Sequence, residues 1–418
     1  MNDRVKPKRP SARARPRREA SSAGAHGAAA VEVAATPSNG GRRARSDAAP
    51  GDGERLRASV PESVRPRVEA RPNDRPRPSA RRGEVKADPA HGGPRNDGAR
   101  RAASRDVRAE GTEGAILITG ICGRLGRLLA RELHRTDRVI GIDRRPFVGK
   151  PKDIVHHQID LRTKKTRDIF RAGGIRAVVH LGIMHDPRAS AKAHHAWNVV
   201  AFQKLLDYMT QYAVPKLIVL SSANVYGPSP DNPQFLTEEA PLLGAQHFSA
   251  IRDLVEVDML AQSFFWRHPG TETVVLRPCH ILGGVRNAPS NYLRLPRPLT
   301  LLGFDPMVQV IHERDVVRAI VLALQPGVRG IFNLKGPGEV PMSRIFKILG
   351  KRPRPVPAPV ARAVLERMWR YRMTSFPPPE LDHIRYVCMV DDTRAREVLG
   401  FAPRYSLEET VRAVETET

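Results

Sequence analysis

Ala115-Ile116-Leu117-Ile118-Thr119-Gly120-Ile121-Cys122-Gly123-Arg124-Leu125-Gly126 is the stretch on which the reading of this chain turns. Residues 115–119 form a continuous apolar run ending in threonine, the pattern of a short strand buried on both faces. Residues 125–133 place apolar side chains at helical spacing. Between them the glycines answer three separate demands: Gly120 for a tight turn, Gly123 for close approach of backbone to a phosphate, Gly126 for a helix lying against the strand. The amino terminus of that helix adds unpaired N–H donors and the positive end of its dipole. Thr119, Gly120, Gly123, Arg124, Leu125 and Gly126 thus form a candidate phosphate cradle.

Working outward, the run 138–142 predicts a second strand that delivers Asp143, 17 residues after Gly126, to the place where an acidic side chain accepts from adenosine ribose hydroxyls. This order of strand, glycine turn, helix, strand and acid predicts a bound dinucleotide. Asp143 favours NAD, because a carboxylate repels a 2′-phosphate. Arg144 and Arg145 beside it suit that phosphate, so NADP stays open.

Further strands are expected at 154–160, 177–181, 216–222 and 273–276, with helices over 193–212, 246–266 and 314–324. Alternation of this kind, with right-handed crossovers, predicts an α/β doubly wound parallel sheet with ligands at the carboxyl ends of its strands. From 277 the rhythm breaks into proline-rich loops, including 288–306, and resumes at 309–312 and 330–334. We divide the chain into a tail (1–112), a dinucleotide-binding domain (113–276) and a smaller carboxyl-terminal lobe (277–418) interleaved with the last strands.

The order of motifs resembles the extended short-chain dehydrogenase/reductases, the NAD-dependent epimerase/dehydratase family, over residues 116–414. The matching pieces are the TGxxGxxG loop, Asp160-Leu161, His180-Leu181-Gly182, Asn198, the segment 221–227 (SSANVYG), Arg277-Pro278 and the segment 311–316 (IHERDV). The resemblance implies a Rossmann sheet, a substrate lobe, and a nucleotide-activated sugar or related small molecule as substrate. It also implies a homodimer through the helices 193–212 and 246–266. Asp160 and Leu161 are placed beside the adenine, with Leu181, Gly182 and Asn198 toward the nicotinamide.

The family's base is a Tyr whose pKa is lowered by a Lys four residues later; a Ser on the preceding strand holds the substrate hydroxyl. Ser222 matches that Ser. Phe248 stands in the Tyr position and Arg252 in the Lys position, so the usual base is missing: Phe has no proton to exchange, and Arg stays protonated. Three readings remain. In one, a histidine substitutes as base: His185 follows the turn facing the nicotinamide, while His247 and His280 flank the expected substrate pocket. In the second, the chain binds dinucleotide without turnover, as a sensor or scaffold. In the third, the register shifts and Tyr226 supplies the phenol. Arg277, Asn291, Arg294 and Arg297 are candidates for a substrate diphosphate.

Composition bounds the rest. Residues 1–110 carry 26 Lys and Arg against 14 Asp and Glu and no Phe, Trp or Tyr, too little apolar surface to offset the entropy of ordering. The expectation is a disordered basic tail, either a solvated linker or an attractor of nucleic acid or anionic membrane. The three cysteines, Cys122, Cys279 and Cys388, have no metal-ligand spacing and no disulfide pattern, and no metal is expected. With no apolar leader or long apolar stretch, the reading is a cytoplasmic protein. The segment 359–373 predicts an amphipathic helix with Val360, Val364, Met368 and Trp369 near one face, suited to an anionic membrane or to the surface of the lobe.

Overall fold

The computed structural model describes residues 114–184, 189–246, 249–374 and 378–416. The basic tail, His185, His247 and Phe248 lie outside these described residues.

Seven parallel strands form the main sheet: β1 (Ala115–Thr119), β2 (Arg138–Asp143), β3 (Val155–Gln158), β4 (Ile175–His180), β5 (Lys216–Leu220), β6 (Glu272–Pro278) and, farther along, Gly330–Leu334. Between them run α1 (Arg124–Leu133), α2 (Lys164–Arg171), α3 (Ala191–His195), α4 (Ala201–Gln211) and α5 (Ser249–Arg267). The lobe contributes β7 (His280–Leu282), α6 (Ala288–Arg294), β8 (Leu299–Leu301), β9 (Met307–Val308), β10 (Val310–His312) and α7 (Glu313–Ala323). The strand Gly330–Leu334 is then β11, followed by β12 (Val340–Pro341), α8 (Met342–Ile348), β13 (Arg354–Val356), α9 (Ala358–Arg370), α10 (Thr393–Leu399) and α11 (Leu407–Thr416). The sheet order is β11-β6-β5-β4-β1-β2-β3, so the strand order reverses between β1 and β4 and opens a crevice at their carboxyl ends.

The apolar strands bury both faces because their alternate residues point to opposite sides. Ile116 and Ile118 join Leu129 and Leu133 of α1 and Val316 and Ile320 of α7 on one face. Ala115 and Leu117 join Phe170, Phe202, Leu205 and Phe264 on the other. A third core in the lobe gathers Tyr292, Leu301, Val310, Phe346 and Val411. Among the described residues, no helix is long and apolar enough to cross a membrane.

Three local features depart from expectation. The stretch 288–306 is not all loop: Asn287 caps α6 by accepting from Ser290 N–H, and Pro289 lies in its first turn, a start signal readable in the sequence. The helix expected over 193–212 is interrupted by a π turn at Ala196–Val200. In α9 the packed face carries Ala361, Leu365, Met368 and Trp369, while Val360 and Val364, expected to share a face with Met368 and Trp369, are exposed.

A buried polar network ties β5, β6 and β11 to α5. Arg277, 1% exposed, donates twice to Asp258 (2.9 and 2.7 Å) and once to the Tyr226 hydroxyl (2.8 Å). Tyr226 donates onward to Asn333 (2.8 Å), and Ser221 donates to Asp258 (2.6 Å). Two expectations are corrected here. Arg277 is spent inside the fold and does not reach a diphosphate. Tyr226 is no base: burial pushes its phenol up to about 12 despite the opposing pull of Arg277. Removing one partner of a buried ion pair strands the other charge, at about 3–5 kcal/mol. Asp258→Ala should lose about that much in denaturant unfolding of the full chain; a loss below about 1 kcal/mol would contradict the role given to this pair.

Candidate functional site

The β1 and β4 strands run in register with Thr119 opposite His180, so the turns that follow them emerge side by side at the reversal of strand order. Leu181 N–H donates to Thr119 O (3.1 Å), and Gly120 N–H donates to Ile142 O (2.8 Å). Gly120 takes φ +71°, the left-handed region glycine favours. A Cβ there would lie 2.7 Å from Gly182 Cα, and one on Gly126 would lie 2.6 Å from Gly120 O. On Gly182 it would meet Thr119 Oγ1 at 3.2 Å. Both turns are therefore bare backbone at their point of contact. Gly123 is the cap residue of α1 and has no side chain to occupy the N–H groups of the first turn. Bare backbone at the turn and uncapped N–H groups at the start of α1 fit a pyrophosphate.

Asp143 ends β2 beside this turn, largely buried. Its carboxylate accepts from Cys122 N–H (3.0 Å), Arg145 N–H (2.9 Å), and the Arg145 Nε and terminal nitrogen (3.1 Å each). Burial opposes its ionisation, but the Arg145 guanidinium prevails and holds the carboxyl below the usual range. Arg145 thus covers the oxygens assigned to ribose hydroxyls. Arg144 stacks over Trp197, 3.8 Å from guanidinium carbon to ring centroid, with Arg162 5.6 Å away on the same ring. Arg162 in turn pairs with Asp160 (2.7 Å), and Leu161 is buried. Trp197 donates to Gly182 O (3.1 Å), linking this cationic and aromatic wall to the β4 turn. The part played by Trp197 had no signal in the sequence.

Arg124, first residue of α1, donates from two nitrogens to Glu313 Oε1 (2.9 and 2.6 Å). Glu313 opens α7 and is fully buried, so the segment 311–316 fixes the arginine beside the cradle. Leu125 is half-buried in the helix face against the sheet. Asn198 is fully buried and clamps Met184, accepting from its N–H (2.7 Å) and donating to its carbonyl (3.2 Å).

Ser222 follows β5, half-exposed, its hydroxyl oxygen accepting from Asn224 N–H (3.2 Å); its neighbour Ser221 turns inward. Arg252 lies exposed in the first turns of α5. His180 accompanies Thr119 (2.8 Å), and burial pushes it down to about 3, a neutral structural imidazole. His280 borders an apolar cavity in the lobe with Leu282, Tyr292, Val310, Met342 and His383, and burial pushes it down to about 4. Arg294 is corrected as a substrate ligand: it donates to the carbonyls of Val414 (3.0 Å), Val285 (3.0 Å) and Gly283 (2.8 Å). Of the sequence candidates, the structure gathers Thr119, Gly120, Gly123, Arg124, Gly126, Asp143 and Gly182 at one crevice.

The model of the NAD dependent epimerase/dehydratase family matches residues 116–334. The chain belongs to this family. An uncharacterized protein of Mycobacterium tuberculosis (strain ATCC 25618 / H37Rv) is 26% identical over 308 residues, covering 70% of this chain and 81% of its own. A UDP-glucuronate 4-epimerase of Thermodesulfobacterium geofontis is 23% identical, covering 72% and 94%. Among solved structures, the UDP-glucose 4-epimerase of Thermotoga maritima with UDP-glucose aligns at TM-score 0.57 and 21% identity, covering 72% of this chain and 97% of that one. The Thermus thermophilus UDP-glucose 4-epimerase complex with NAD aligns at 0.56 and 22%, covering 72% and 97%.

If Asp143 is the ribose acceptor, the Arg145 fork competes for its oxygens, and Arg145→Ala should tighten NAD and weaken NADP. The expected change is roughly tenfold each way, about the worth of one charge-assisted hydrogen bond. Calorimetric titration of both cofactors checks this, and weaker NAD binding in the variant would reverse the assignment.

Proposed function

We propose that this chain is an NAD-dependent oxidoreductase of epimerase or dehydratase type acting on a nucleotide-activated sugar, with an atypical base. The observation that carries the reading is the bare-backbone cradle of Gly120, Gly126 and Gly182 at the reversal of strand order, with Asp143 beside it and Ser222 at the end of β5. Thr119, Gly120, Gly123, Arg124, Leu125 and Gly126 hold the pyrophosphate. Asp143 takes the adenosine ribose once Arg145 yields, and Arg144 with Asp160 and Leu161 borders the adenine. Leu181, Gly182 and Asn198 shape the nicotinamide side, and Arg252 binds the adjoining ribose. When bound, the cofactor supplies a hydride acceptor.

The protein's own work is to hold the sugar and take a proton. Ser222 orients the reacting hydroxyl, and His185, beyond the turn that Asn198 clamps, accepts its proton in place of the missing Tyr. His247 is the further candidate to border the substrate, whereas His280 lines the apolar cavity of the lobe. A second reading, a dinucleotide-binding sensor or scaffold without turnover, is favoured by Phe248 and Arg252, since neither performs the chemistry of the residue it replaces.

Full-length protein supplied with NAD and either UDP-glucose or UDP-glucuronic acid should yield epimerised or dehydrated sugar by chromatography. His185→Ala should lower that rate about 10²- to 10⁴-fold, the usual worth of a positioned base. Saturable NAD binding with no product from a panel of nucleotide sugars would establish the sensor reading instead. Turnover gained only by Phe248→Tyr with Arg252→Lys would show an intact site that had lost its base.

A further inference from the structure

Apart from the crevice, the described residues bring together one group of imidazole and carboxylates with the dimensions of a cation site. His195 ends α3, and Asp253 and Glu256 lie one turn apart on α5, which packs against α3. His195 Nδ1 is 3.7 Å from Asp253 Oδ1 and 3.7 Å from Glu256 Oε2, and one ligand atom from each residue lies within 4.8 Å of the others. These separations are too long for hydrogen bonds. They are slightly wider than the edge of about 3.3 Å that a tetrahedral ion with bonds near 2.0 Å requires.

The second observation is Asp253 itself. It is 4% exposed; its Oδ1 faces His195, and Oδ2 of the same carboxylate has no hydrogen-bond partner among the described residues. A buried carboxylate oxygen left without a donor bears the full cost of desolvation, and buried charges are ordinarily paired or bound to metal. His195 and Glu256 are open to solvent at 50% and 42% side-chain exposure, which gives an aqueous ion a way in. The π turn at Ala196–Val200 begins at the residue after His195, and such turns recur at functional sites.

We infer that His195, Asp253 and Glu256 bind a divalent first-row transition ion of the zinc type, joining α3 to α5. One imidazole nitrogen and two carboxylates suit Zn²⁺ or Co²⁺, whereas an all-oxygen shell suits Mg²⁺. The ion leaves at least one coordination position for water.

Full-length protein stripped with chelator and titrated with Zn²⁺ should take up one equivalent that excess Mg²⁺ does not displace. His195→Ala and Glu256→Gln, both at solvent-exposed side chains, should each weaken that equivalent at least tenfold, about 1.4 kcal/mol. Co²⁺ should give a visible absorption band in the wild type that is absent from both variants, and thermal unfolding without metal should match across the three proteins. No stoichiometric Zn²⁺ uptake, or uptake unchanged in both variants, overturns the assignment.

Discussion

The backbone of the Gly120 turn lies directly against the backbone of the Leu181–Gly182 turn, and the arrangement of the crevice depends on that contact. Parallel pairing of β1 with β4 brings the two turns together, and the absence of side chains lets them touch. Gly123 leaves the first-turn N–H groups of α1 without a side-chain cap, and the turn after β4 packs against the Gly120 turn. Gly182 also ties outward, through its carbonyl to Trp197, and so to the stacked Arg144. One close approach thereby sets the relative positions of the glycine turn, of the Trp197 wall, and of the ends of β1 and β4.

Electrostatics then decide what this crevice accepts. Asp143 would repel a 2′-phosphate if it stood alone, but Arg145 neutralises it with a fork of hydrogen bonds and Arg144 sits close by on Trp197. In the function proposed above, selectivity for cofactor rests on how readily Arg145 leaves Asp143, not on the acid alone. On the opposite side, Glu313 holds Arg124 from a helix almost two hundred residues later, coupling the lobe to the cradle. Arg277 and Arg294, which the sequence offers as anion ligands, instead hold the frame rigid. Their donors are consumed by Asp258 and by backbone carbonyls, and the cost of leaving a buried guanidinium unpaired keeps Arg277 there.

The sheet was legible because its signals are local. Residues 115–119 read as a strand with the bounds observed, since a strand buried on both faces shows as an apolar run; 330–334 did so too, although Asn333 interrupts its apolar residues. The glycine cradle was legible because each glycine answers a backbone requirement. The α6 helix was missed because prolines at 289, 296 and 298 outweighed the Asn287 cap in a reading by composition. The roles of Arg277 and Tyr226 were illegible because their partners, Asp258 and Asn333, lie 19 and 107 residues away, where no periodicity connects them. The group formed by His195, Asp253 and Glu256 was hidden likewise, since it joins two helices with α4 and β5 between them.

The central claim is that two glycine turns in contact make a dinucleotide site. It is tested most directly by calorimetric titration of NAD into the wild-type chain and into Gly182→Val, whose side chain would press on Thr119 at the junction of the turns. The account predicts one NAD per wild-type chain, and binding at least about tenfold weaker in the variant, or 1.4 kcal/mol, with the secondary structure unchanged by circular dichroism. Wild-type protein that binds no NAD, or a variant that binds it equally well, would contradict it.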